Sequence, residues 1–100
     1  MIDAVKLLYT PDECRQSRAI RALAKDRAFD YFIEDTDDDT IILVLNGCRP
    51  AEDYAELLRH VADNIIPAFG LEVYVPNEHV VEAHETFDRF ELEASYETRY

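Results

Sequence analysis

The run Thr40-Ile41-Ile42-Leu43-Val44-Leu45 is apolar at every position after its first residue. A strand with one wet face alternates, so this run suits a central β-strand covered on both faces. A central strand needs strands beside it and helices across it, and the rest of the chain supplies the signals for both.

Ala4-Val5-Lys6-Leu7-Leu8-Tyr9 reads as a first strand, and Thr10-Pro11-Asp12-Glu13 follows it as a helix start. Thr10 is placed to cap, Glu13 to close the capping box, and Pro11 at the first helical position loses an N–H that has no partner there anyway. Through about Ala28, Ala19, Ile20, Leu23 and Ala24 share one helical face, and Arg15, Arg18, Arg21 and Lys25 share the other. Asp30-Tyr31-Phe32-Ile33-Glu34 is a second strand rich in β-propensity, joined by the turn Asp35-Thr36-Asp37-Asp38-Asp39 to the central run. Asn46-Gly47 is expected to end that run. A second helix from about Pro50 places Tyr54, Leu57, Leu58, Val61 and Ile65 on a buried stripe, and Pro67 and Gly70 break it. Leu71-Glu72-Val73-Tyr74-Val75 alternates as a fourth strand.

The order strand, helix, strand, strand, helix, strand predicts an α+β fold with a ferredoxin-like βαββαβ core. The whole chain is read as one domain, with the core in residues 1–76 and an acidic C-terminal extension in 77–100. In that extension Asn77 starts a short helix through about Thr86, and the alternation around Phe90, Leu92, Ala94 and Tyr96 predicts a fifth strand at an edge. A continuous helix from Glu78 to Ala94 is the competing reading, because Val80, Ala83, Phe87, Phe90 and Ala94 also keep helical spacing.

Twenty-two Asp and Glu against ten Lys and Arg give a formal charge of −12. Hydrophobic residues at 48% argue for a folded chain despite that charge. The acids are unevenly spread: Asp30 to Asp39 holds six and no base, and Asn77 to Tyr100 holds seven with two arginines. The expected partner-binding residues are therefore Asp35, Asp37, Asp38 and Asp39 in the turn, and Glu91, Glu93 and Glu97 near the C-terminus. Phe90 and Tyr96 are expected as apolar anchors among them. Two such surfaces lying side by side would imitate phosphate spacing or match an arginine-lined groove. A plain solvated charge run and a salt-adapted, lysine-poor surface are the alternatives, since only Lys6 and Lys25 are lysines.

No catalytic, cofactor or metal signature stands out. The Asp-rich turn has Thr40 where a calcium loop needs Gly and Asn46 where it needs Glu. His60, His79 and His84 keep no ligand spacing, and Gly47 and Gly70 alone cannot build a phosphate loop. Leu7-Leu8-Tyr9-Thr10-Pro11 leading into Cys14-Arg15-Gln16-Ser17 resembles the arrangement of monothiol glutaredoxins. The likeness ends there: a hairpin stands where that fold has a crossover, and Asp12 and Glu13 oppose a thiolate, so Cys14 reads as structural.

The functional expectation is a small acidic binding protein, not an enzyme and without cofactor, that occludes a basic surface of a protein or nucleoprotein complex. Phage-encoded inhibitors such as anti-CRISPR proteins, nucleic-acid mimics and toxin immunity proteins share this size and acidity. No direct nucleic-acid binding and no membrane span are expected, and the reduced thiols and the start of the chain suggest the cytoplasm. Monomer and homodimer both stay open. The alternative is a ferredoxin-like dimeric sensor or regulatory domain that binds a small ligand at its sheet.

Overall fold

A computed structural model describes residues 1–10, 14–34, 39–66 and 69–98. The elements run β1 (Ile2–Tyr9), α1 (Cys14–Asp26), β2 (Asp30–Glu34), β3 (Ile41–Arg49), α2 (Ala51–Asn64) and β4 (Gly70–Val75). A single tight turn of helix (Asn77–His79) then leads into α3 (Val80–Arg89) and β5 (Ser95–Thr98). Five strands form one sheet in the order β2-β3-β1-β4-β5. The first four are antiparallel neighbours in the split βαβ arrangement, and β5 adds to β4 in parallel across α3. The ferredoxin-like α+β fold is thus present, with the C-terminal segment adding a third crossover and a fifth strand at the edge; the continuous helix to Ala94 is not formed.

One face of the sheet meets all three helices. Val5, Leu7, Leu43, Leu45, Leu71 and Val73 pack in a single cluster with Ile20 and Ala24 of α1, Tyr54, Leu57, Leu58 and Val61 of α2, and Ala83 and Phe87 of α3. Burial of such side chains supplies most of the drive to fold, at roughly 25 cal/mol per Å² of apolar area. The C-terminal segment shares this core through Ala83, Phe87 and Leu92.

Three local expectations are corrected. Ala19 is exposed, and α1 instead buries Ser17, whose hydroxyl accepts from Tyr9 Oη at 3.2 Å, so Ser17, Ile20 and Ala24 form the inward stripe. Asn46-Gly47 does not end β3. The strand bulges there, its pairing with β1 jumping from Asn46 opposite Ala4 to Arg49 opposite Ile2, with Gly47 at φ 140° and Cys48 at φ 52°. Finally, β3 is covered by helices on one face only. Val44 reaches 4% exposure outside the main core, beneath its register partners Lys6 and Phe32.

The bulge directs Arg49 across to the end of α1. Its guanidinium donates to the carbonyls of Arg27 (2.9 Å) and Ala28 (3.2 Å), lies 4.2 Å from the Phe29 ring centroid, and pairs with Asp53. Arg59 does the same for α3, donating to the carbonyls of Phe90 (3.1 Å) and Glu91 (3.4 Å) while pairing with Asp63. At both places the helix closes in a Schellman turn around a non-glycine residue of positive φ, Ala28 at 60° and Glu91 at 58°. In each case Nη1 gives both carbonyl bonds while a second guanidinium nitrogen, Nε of Arg49 or Nη2 of Arg59, meets the carboxylate, a division that the single nitrogen of a lysine cannot make.

Candidate functional site: the open sheet face and its outer strand

Strand alternation sends every second residue to the side without helices. Following the register through Lys6, that face carries Ala4, Lys6 and Leu8 of β1, Asp30, Phe32 and Glu34 of β2, and Ile42, Val44 and Asn46 of β3. It continues through Gly70, Glu72 and Tyr74 of β4 to Ser95 and Glu97 of β5. Its middle sets Lys6 and Glu72 among Phe32, Val44 and Tyr74, and further carboxylates stand around them. A cleft of about 280 Å³ sits over the centre, lined by Asp3, Ala4, Lys6, Phe32, Glu34, Val44, Asn46, Tyr74 and Val75.

Lys6 organises that cleft. Its Nζ lies 2.9 Å from Glu34 Oε1 and 5.1 Å from the centroid of Tyr74, and Tyr74 Oη in turn donates to Glu72 Oε1 at 3.0 Å. A hydrogen-bonded and charge-paired chain therefore crosses from β2 through β1 to β4. The bond to Glu34 raises the pKa of Lys6 above its ordinary 10.5, against the opposing effect of desolvation. Burial, followed by the bond to Glu72, likewise raises Tyr74. With the Lys6 and Glu34 side chains 23% and 36% exposed, the pair contributes at most about 1 kcal/mol; its main effect is to hold Glu34 and Tyr74 in place. Asn46 Oδ1, in the cleft wall, is buried without a hydrogen-bond partner.

Among the described residues of this face Lys6 is the one cation, against Asp30, Glu34, Glu72 and Glu97, with Asp3 at the cleft's lip. The described cations of α1 lie on the other side of the molecule: Arg18 and Lys25 are exposed on the helix surface turned away from the core, and Arg21 bends back to the Ser17 carbonyl.

The residues expected at the partner surface are scattered. Asp35, Asp37 and Asp38 lie outside the described residues, as do Pro11, Asp12 and Glu13 of the expected helix start; Asp39 is exposed beside β3. Glu91 is exposed in the turn after α3, and Glu93 and Glu97 are exposed along the β5 side. Phe90 and Tyr96 are half-buried and pack against the core. Tyr96 stacks on His84 with ring centroids 4.8 Å apart and contacts Phe87; burial, and then the nearby Asp88, push its phenol up to about 12. Among the described residues, Glu34 on β2 and Glu97 on β5 belong to the two outer strands, separated by four strand spacings, roughly 19 Å.

Sequence reasoning missed the outer strand. Tyr31, Phe32 and Ile33 are 37%, 49% and 42% exposed, side by side on β2. Their composition reads as a buried strand. Topology held the signal: the second strand of a split βαβ unit always lies at the edge.

Among the described residues no group of three or more His, Cys, Asp or Glu is placed to hold a metal, and no helix is long and apolar enough to cross a membrane. No protein-family model matches the chain, and no curated protein matches it. Among solved structures it is similar to the crystal structure of MupZ from Pseudomonas fluorescens, with a TM-score of 0.56 at 12% identity, over 97% of this chain and 89% of that one. That likeness shows the fold alone.

Proposed function

We propose that this chain is a binding protein without catalytic activity that presents its open, acidic sheet face to a basic surface of another protein. The observation that carries the reading is the charge of that face: five carboxylates among apolar and aromatic side chains, against one lysine already engaged by Glu34. An uncovered surface on which aromatic and apolar side chains stand among charged ones fits a protein interface. The net charge of −12 speeds encounter with a cationic partner and makes it salt-dependent. An arginine-lined groove of a nucleic-acid enzyme or nuclease fits this description, and occupying it would inhibit by occlusion. Any mimicry of phosphate by the described residues would come from the carboxylates of the sheet face, Asp30, Glu34, Glu72 and Glu97.

The alternative, a sheet-to-sheet dimer sensing a small ligand, draws support from the 280 Å³ cleft. Charge opposes it: two copies stacked on this face would set two groups of carboxylates against each other.

The test is recovery of a partner from lysate at low salt with tagged protein, eluted on a salt gradient, beside the double charge reversal Glu72→Lys and Glu97→Lys. One basic protein that elutes earlier from the variant supports the reading. Recovery of a salt-insensitive dimer of the chain itself would replace it with the sensor.

A further inference from the structure

Among the described residues the strand β2 is the outermost on its side and pairs only with β3. Its outer main-chain N–H and C=O groups form an open row, a template for another strand. Natural edge strands are usually blunted by lysine, proline, a bulge or a covering element. Residues 30–34 contain neither lysine nor proline, keep an unbroken register with β3, and have Tyr31, Phe32 and Ile33 exposed on both faces. Of the five exposed large hydrophobic residues in the described chain, three are these consecutive ones. Both ends of the strand are acidic, Asp30 and Glu34, and Glu34 is fixed by Lys6 at 2.9 Å.

That pattern selects among occupants. A second copy paired antiparallel about Phe32 would place Asp30 opposite the other copy's Glu34 at each end, a like-charge juxtaposition that destabilises a strand pair. An extended segment with cations at its ends and apolar side chains between them satisfies both.

We propose that β2 receives an extended segment of the basic partner as a sixth strand of the sheet, a β-augmentation in which main-chain hydrogen bonds supply affinity. Three consecutive apolar side chains of that segment meet Tyr31, Phe32 and Ile33, the middle one on the open face and its two neighbours on the helix side. Its terminal Arg or Lys residues face Asp30 and Glu34. This inference rests on the proposed preference for a basic partner and adds the place and form of contact.

The probe is the blocked synthetic peptide acetyl-Arg-Val-Ile-Val-Arg-amide, titrated into isotope-labelled protein at low salt and followed by amide NMR shifts and hydrogen exchange. The largest shifts and slowed exchange are expected at residues 30–34. The same peptide with glutamate at both ends should bind at least about tenfold more weakly, and Ile33→Lys should weaken the basic peptide by a similar factor. Tyr31→Thr provides a second variant should Ile33→Lys unfold. Shifts confined to Glu72, Tyr74 and Glu97 would overturn the strand-addition proposal while leaving the basic-partner reading intact. Absence of shifts, or equal binding of both peptides, would overturn strand addition as well. Concentration-dependent shifts at 30–34 without peptide would give the edge to a second copy and overturn it too.

Discussion

The two edge strands of this sheet are protected very differently. At one end β5 is only four residues long, carries Glu97 toward the open face, and turns Tyr96 inward against His84 and Phe87 of α3. Arg59 holds the turn that leads into it by binding two carbonyls. At the other end β2 has an unbroken antiparallel register with β3 and three exposed large apolar side chains. Short length and charge, ordinary means of silencing an edge, are common to both, since β2 is five residues long with Asp30 and Glu34 at its ends; what sets β5 apart is the packing of Tyr96 on α3. The contrast teaches that one outer strand spends its aromatic side chain inward, on α3, whereas the other leaves three consecutive apolar side chains a third to a half in water.

The largest break in that contrast is Phe87→Ala. Phe87 is fully buried between α3 and the sheet, so its loss should cost about 3–5 kcal/mol of unfolding free energy, measured by denaturant titration. If cover is what closes the β5 side, amide exchange in β4 should rise with it. Next is Arg59→Met, which leaves the Phe90 and Glu91 carbonyls without their donor and should cost about 1–2 kcal/mol, with faster exchange at 90–98. Retention of full stability would assign the closure of α3 to its Schellman turn alone.

A smaller effect is set by pH. Burial pushes Tyr54 and Tyr96 up to about 12 from an ordinary 10.0, and the bond to Glu34 raises Lys6 above 10.5. All three hold their protons more tightly folded than unfolded. Their stabilisation is therefore fully present below the unfolded values and lost as pH rises through the folded ones. Stability should stay level to about pH 9.5 and fall between 10 and 12; Tyr96→Phe should shrink the fall from the β5 side, and Lys6→Met from the open face. The smallest effect belongs to β2 itself. Phe32→Thr should cost about 1 kcal/mol, because the ring is half exposed already and its buried half covers Val44. A loss several times larger would mean that the β2 side is sealed within the folded chain.

How much was legible in the sequence follows from which physical signal each element carried. Periodicity announced β1, β2, β3, α2 and β4 in their true order, and the alternation after Phe90 announced the fifth strand, because apolar spacing directly records which face is buried. At Asn46-Gly47 composition misled: the pair carries the conformational freedom of a turn, and here that freedom serves a bulge that keeps the strand going to Arg49. Ala19 misled because alanine sits equally well on either face of a helix, while Ser17 hid its buried role in a bond to Tyr9 that only the fold creates. The open-face cleft was not legible, since Lys6, Glu34 and Tyr74 come from three separated segments joined only by strand order. Tyr96, chosen for its place among acids, turned out to look inward; the alternation that predicted its strand also fixed the side it faces.

The placement of α1's cations has one more effect. Arg18 and Lys25 stand outside the helical layer, whereas Asp30, Glu34, Glu72 and Glu97 stand on the far side of the sheet. The helix layer also carries exposed acids, Glu52 and Glu56 on α2 and Glu82 and Glu85 on α3, so opposite signs face each other across the sheet only at its α1 and β2 end. A cationic surface is therefore drawn to the molecule from more than one direction, and the carboxylate side is favoured locally, at that end alone. Reversing Arg18 and Lys25 to glutamate would raise the total negative charge yet remove this local preference, separating orientation from attraction in the rate of association.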